Sequence, residues 1–189
     1  CLTNNAAERA LRGVALGRKS WLFVGSDRGG LRAAVMYTLI GTAKLNDIEA
    51  KNIAVVRKYF HRCNTGNLED LLSTLAPDVC HYFLPPSFPP ITGAEHLARY
   101  WRKYKHALDP LWSIDRIIAS GDEVVNEWSC LWTPPGSKLR LMARGTEWYV
   151  MRDGRIVEVR AYFIADSAAN AELATFPYAQ RGYLLSDNP

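Results

Sequence analysis

The 189-residue sequence has no apolar run near the ~20 residues that a membrane-spanning helix requires, so no helical span is expected. Its four cysteines, Cys1, Cys63, Cys80 and Cys130, form no Cys-x-x-Cys pair, and no histidine stands at zinc-ligand spacing. That leaves free buried thiols in a reducing cytoplasm as the expectation, with no structural metal. Metal-binding and nucleotide-binding motifs are both missing, so no cofactor is expected. The chain does not begin with methionine and lacks the basic-then-apolar pattern of a signal peptide, so it reads as starting inside a longer reading frame. What is present is ordinary for a globular chain: 48% hydrophobic and 22% charged residues.

The charge is unevenly placed. Residues 1–46 carry seven Lys/Arg against Glu8 and Asp27, a net of +5, whereas residues 47–189 carry sixteen basic against seventeen acidic groups. A basic segment joined to a near-neutral body suggests two origins. In the first segment Asn5 is placed to cap a helix over 6–11, Trp21–Val24 suits a short strand, and 25–30 is a Gly-rich loop. A helix is expected over about 31–45.

The runs Asn4–Arg12, Gly17–Phe23, Gly25–Gly30 and Thr42–Asn46 resemble the C-terminal end of insertion-sequence sixty-six transposases. In that family three carboxylates hold two metals for phosphoryl transfer, and Glu8 matches the last of them. One carboxylate cannot build a two-metal site, so the resemblance implies a remnant without strand-transfer activity. Its basic residues leave only a weak, salt-dependent nucleic-acid contact to consider.

From Asp47 the pattern changes. Asp47 suits a helix N-cap, and Ile53, Val56, Tyr59, Phe60 and Cys63 fall on one helical face up to Thr65-Gly66. Asn67, with Asp70 three residues on, starts a short second helix through Leu75, which Pro77 ends. Val79–Leu84 is a strand and 85–90 a proline-rich extended loop. Thr92-Gly93-Ala94-Glu95 reads as a capping box before a third helix whose Leu97, Tyr100, Trp101, Tyr104 and Leu108 share a face, with His96 and His106 on the solvated side. Four alternating strands follow: 111–119, 124–133, 139–151 and 155–163. The last two are joined at Asp153-Gly154, a strong hairpin signal.

This order predicts an α+β fold, ααβαββββ: a curved, mainly antiparallel sheet wrapped on three helices into a cone, with a short, mostly helical N-terminal appendage. The expected divisions are 1–46, the cone over 47–165, and a tail over 166–189 that packs its aromatics on the body or covers the mouth. The landmarks Thr65–Glu69, Leu75–Val79, Thr92–Glu95 and Arg152–Phe163 resemble the nuclear transport factor two-like superfamily, in its SnoaL-like and ketosteroid-isomerase-like branches.

That resemblance implies a small apolar ligand in the cone, a homodimer through the open sheet face, and two oxyanion donors with a carboxylate base. Tyr59, seven residues before Gly66, matches the donor tyrosine, and Glu147 matches the acid donor. Phe83 falls where the base would stand. His81, two residues away on the same strand face, takes that role by parity. Phe83, Trp101, Asn126, Trp128, Tyr149 and Phe163 are the expected lining. The facing of 124–133 stays open: even positions inward would present Asn126 and Trp128, odd ones Glu127. Two readings therefore stand side by side, a cofactor-independent isomerase, cyclase or hydrolase acting on a ketone or polyketide-like ring, and a non-catalytic binding or dimerisation module.

Overall fold

In the computed structural model, residues 27–84, 88–164 and 172–186 are described. Glu8, the strand and helix expected within 1–26, the loop residues 85–87 and the division near 165 lie outside them. The described residues divide between Glu49 and Ala50 into two compact units.

Helix α1 runs unbroken over Asp27–Thr65, so Asp47 is interior rather than a cap and the two expected helices are one element. Nothing near 46–47 breaks a helix, and Leu45, Asn46, Asp47 and Ile48 continue it without a glycine or proline. It stops at Gly66, whose φ of +68° takes the left-handed turn that glycine adopts without steric cost. Over its last turns it buries Asn52, Val56, Tyr59, Phe60 and Cys63. Helix α2 (Leu68–Leu72) starts at Asn67, whose side chain accepts from the Asp70 amide as expected. It is shorter than the pattern suggested, because Leu75 and Ala76 already belong to strand β1 (Leu75–Leu84). Strand β2 (Ile91–Thr92) was not foreseen: it pairs antiparallel with β1 at Cys80 and His81. This corrects the capping box. The N-cap of α3 (Ala94–Leu108) is Gly93 at φ 90°, with no side-chain cap, since Thr92 is held in the sheet.

Strands β3 (Leu111–Ser120), β4 (Glu123–Trp132), β5 (Leu141–Arg152) and β6 (Arg155–Phe163) form the expected meander. Asp153 and Gly154 both have positive φ, 52° and 70°, the type I′ turn that matches strand twist. The six strands lie in the order β2-β1-β6-β5-β4-β3, with β1 parallel to β6. The element order is therefore ααββαββββ.

Register sets the inner face in rows. One row joins His81, Val159, Tyr149 and Val124, and the next joins Phe83, Ala161, Glu147 and Asn126. A third carries Phe163, Gly145 and Trp128. The first row is fully sealed, each member 0% exposed. Gly145 is where Trp128 lies against β5: a Cβ there would stand 2.4 Å from the indole, 2.7 Å from the Tyr162 carbonyl and 2.9 Å from Phe163.

The described tail lies on the opposite, outer face. Arg144 donates to Glu172 at 2.6 Å and to Ser129 Oγ, and its guanidinium covers the Tyr178 ring at 3.9 Å. The Tyr183 hydroxyl donates to Glu127 at 2.6 Å, and Asp115 accepts from the Leu184 amide. Replacing Arg144 by Ala removes the group that Glu172, Ser129 and Tyr178 share. We expect about 1–2 kcal/mol of lost stability and faster proteolysis confined to 172–186, read by mass spectrometry of the cleavage products.

Candidate functional site

A cavity of about 290 Å³ opens between α3 and the inner sheet face. Its walls are aromatic because α3 turns Tyr100, Trp101 and Tyr104 toward the sheet at helical spacing. The strands answer with Trp112, Trp128, Trp132 and Phe163, and Phe83 and Phe88 close one side. Trp112 meets Trp128 edge-on at 4.7 Å and Trp101 at 5.9 Å, the geometry that ring quadrupoles favour. Beneath lies a void of about 10 Å³ shared by Tyr59, Cys63, Trp101 and Glu147.

Glu147 lines both spaces and is 4% exposed. Burial pushes its carboxyl up to about 7, and the Tyr149 hydroxyl, donating to Oε2, pulls it partly back. Its backbone N–H is held by Asn126 Oδ1 at 3.1 Å. The arginines that could have neutralised it are engaged elsewhere: Arg144 with Glu172, and Arg160 with Glu158 at 3.1 Å. A carboxyl that titrates near neutrality inside an aromatic cavity can give or take a proton at little cost. Replacing Tyr149 by Phe removes the donor that favours the ionised form. We therefore expect the Glu147 titration to move above about 7, measured by NMR on a labelled carboxyl.

Tyr59 sits beside this carboxyl with its hydroxyl already engaged. It accepts from Trp101 Nε1 at 2.5 Å and shares a hydrogen bond with the Cys63 thiol. Burial drives its titration well above the usual tyrosine value. The structure brings Tyr59 and Glu147 together but leaves His81 apart. His81 does share the face of Phe83, and the two rings stack at 4.2 Å. It lies one row deeper, however, capped by Trp101 at 5.6 Å and outside the cavity lining. Neither ring nitrogen finds a partner, and desolvation lowers its titration to about 3. A neutral, sealed imidazole is a poor base, so the expected three-way convergence is corrected to a pair.

Of the expected lining, Phe83, Trp101, Trp128 and Phe163 face the cavity. Asn126 and Tyr149 stand behind, as supports of Glu147. Even positions of β4 point inward, and Glu127 faces out to Tyr183. The sequence reading missed Trp112, because a register irregularity between Ile114 and Arg116 breaks the alternation of β3. Tyr104, expected only on the apolar face of the third helix, also lines the cavity. His96 and His106 are exposed, as read. Among the described residues no three His, Cys, Asp or Glu side chains gather as metal ligands, and no helix is long and apolar enough to cross a membrane.

The profile of the SnoaL-like domain matches residues 56–159, and that of the Transposase IS66 family matches residues 1–32. A curated relative, the uncharacterized protein y4hP of Sinorhizobium fredii, is 71% identical over 51 residues, which are 27% of this chain and 9% of that protein. Among solved structures, an LEH-like epoxide hydrolase from M. tuberculosis is similar at 22% identity and a TM-score of 0.55, over 61% of this chain and 84% of that one. A protein of unknown function with a cystatin-like fold from Methylobium petroleophilum is 27% identical with a TM-score of 0.55, over 75% and 95%. A ketosteroid isomerase assigned in Kribbella flavida is 23% identical with a TM-score of 0.53, over 62% and 81%.

Proposed function

The chain belongs to the SnoaL-like domain family through residues 56–159, and on that footing we propose that it binds a small, mostly apolar molecule and moves a proton on it with Glu147. One observation carries this reading: an aromatic cavity of about 290 Å³ whose wall, among the described residues, holds a single carboxyl, that of Glu147, which burial pushes up to about 7. The carboxylic acid donates to a ketone or polyketide-like oxygen, and the carboxylate accepts a proton from the adjacent carbon. Isomerase and cyclase chemistry share that step, and structures similar in fold include one named as a ketosteroid isomerase. Tyr59 orients Trp101 rather than touching the substrate.

The test is exchange of α-protons of a cyclic ketone with deuterated water, followed by NMR. Exchange that depends on pH around 7 and disappears in Glu147→Gln supports the proposal. Saturable binding with no exchange in either protein replaces it by the second reading, a binding module. That reading is favoured by Phe83 standing where a base would be and by the sealing of His81.

We place a homodimer contact on the outer face of β1, β6 and β5, where Tyr82, Leu84, Trp148 and Tyr162 are exposed beside the ground held by the tail. Light scattering of Trp148→Glu checks it, with a monomer expected. No strand transfer is assigned to residues 1–46.

A further inference from the structure

We propose that the same cavity also takes compact organic cations, with Glu147 as their counter-ion and the surrounding indole and phenol faces as their walls. This rests on the cavity reading above but adds a second class of guest.

Among the described residues, Glu147 lacks a charged partner. It is a buried carboxyl that, among these residues, has one side-chain hydrogen bond, from the neutral hydroxyl of Tyr149. Buried charges are normally paired, and among the described residues no basic side chain lines the cavity. Lys105 and Arg140 approach Cys130 at the rim and are held there, Lys105 by Asp109 and Arg140 by the Asp109 and Leu131 carbonyls at 2.7 and 3.1 Å. An ammonium entering the cavity would supply the missing partner.

The walls suit the same guest. Trp101, Trp112, Trp128 and Tyr104 present ring faces or edges within one small volume, and a ring face attracts a cation once water is excluded. An anion meets the opposite situation, ring quadrupoles and a carboxylate with no compensating charge.

The neighbours of Glu147 do not confuse its ionisation. From α1 it faces Tyr59 and Cys63, and from its own strand Tyr149. Burial drives all three up, so they stay uncharged near neutrality. Asn126 from β4, Ala161 from β6 and Trp101 from α3 do not titrate there. Glu147 is therefore the one group at this spot that changes charge between pH 5.5 and 8. Its acid form serves an uncharged oxygen, and its carboxylate serves a cation.

The experiment compares phenyltrimethylammonium with its uncharged isostere tert-butylbenzene, by calorimetry on the full chain. A quaternary ammonium cannot donate a hydrogen bond or a proton, so the comparison isolates charge. At pH 8 we expect the cation to bind about tenfold tighter than the isostere. At pH 5.5 that preference falls severalfold, while tert-butylbenzene binds alike at both pH values. Glu147→Gln, which keeps the side-chain volume, removes the pH dependence of the preference. Equal affinities at pH 8, or a preference that survives unchanged in Glu147→Gln, overturn the proposal. If cyclohexanone binds and the cation shows no preference, only this inference falls. If none of the three probes binds, the cavity reading falls with it.

Discussion

Gly145→Ala is expected to lower stability by about 3 kcal/mol, the upper range for forcing atoms into a packed site. A methyl at this position meets three neighbours at once, and only one of them is a movable ring tip. Trp128 can swing away from 2.4 Å, but the Tyr162 carbonyl at 2.7 Å is backbone of the adjoining strand. The β5–β6 ladder must therefore open locally, or the indole must leave the cavity wall. Urea unfolding should show a lower midpoint with an unchanged slope, and the melting temperature should fall by roughly 10 °C. Near-ultraviolet circular dichroism should change as well, because the Trp112–Trp128 contact at 4.7 Å is broken. A cost below about 0.5 kcal/mol would show that Gly145 is not what lets Trp128 lie flat. Trp128→Phe combined with Gly145→Ala should recover part of the loss, since it removes the closest clash and keeps the other two.

The pH dependence of stability should reveal two opposed buried groups. Glu147 has a folded value raised to about 7 from 4.5, so the folded state holds a proton that the unfolded chain has released. Its contribution is fully present below 4.5 and is lost as pH rises toward 7. His81 has a folded value lowered to about 3 from 6.5, so its burial is tolerated above 6.5 and costs progressively more as pH falls. Between 4.5 and 6.5 the two slopes cancel, each amounting to about 3 kcal/mol across that span. Their joint contribution to wild-type stability should thus be nearly level there. Glu147→Gln should expose a curve that rises with pH, and His81→Leu one that falls. Asp115, whose half-buried carboxyl is also raised, is common to all three proteins and drops out of the differences. Parallel curves for wild type and both variants would mean that neither group is sealed as described.

Much of the cone was legible because its signals are local. The Asp153-Gly154 turn, the Asn67 cap and the spacing of Leu97, Trp101 and Tyr104 each depend on neighbours within a few residues. What escaped were quantities that depend on pairing. Parity put His81 on the correct face of β1, but depth along the cone is set by the register with β6, which no property of residues 79–84 encodes. Trp112 was hidden by an irregularity in β3 that shifts alternation by one residue. Ile91-Thr92 is too short to announce a strand, and it forms only because Cys80 and His81 offer an edge. Glu147 was found by resemblance; Tyr149 stands two residues along the same strand, whereas Asn126 is brought to it by the pairing of β4 with β5.

The parallel pairing of β1 with β6 bears on how the chain is made. Apart from the two-residue β2, the first long strand finds a partner only after every later strand of the meander has been synthesised. Until Phe163 clears the ribosome, the edge of β1 opposite β2 has no strand to pair with. Contacts so distant in sequence form slowly, and the waiting intermediate exposes an unpaired strand edge. We therefore expect translation stalled before residue 155 to release sticky, chaperone-bound chains, whereas stalling after 163 releases a closed cone.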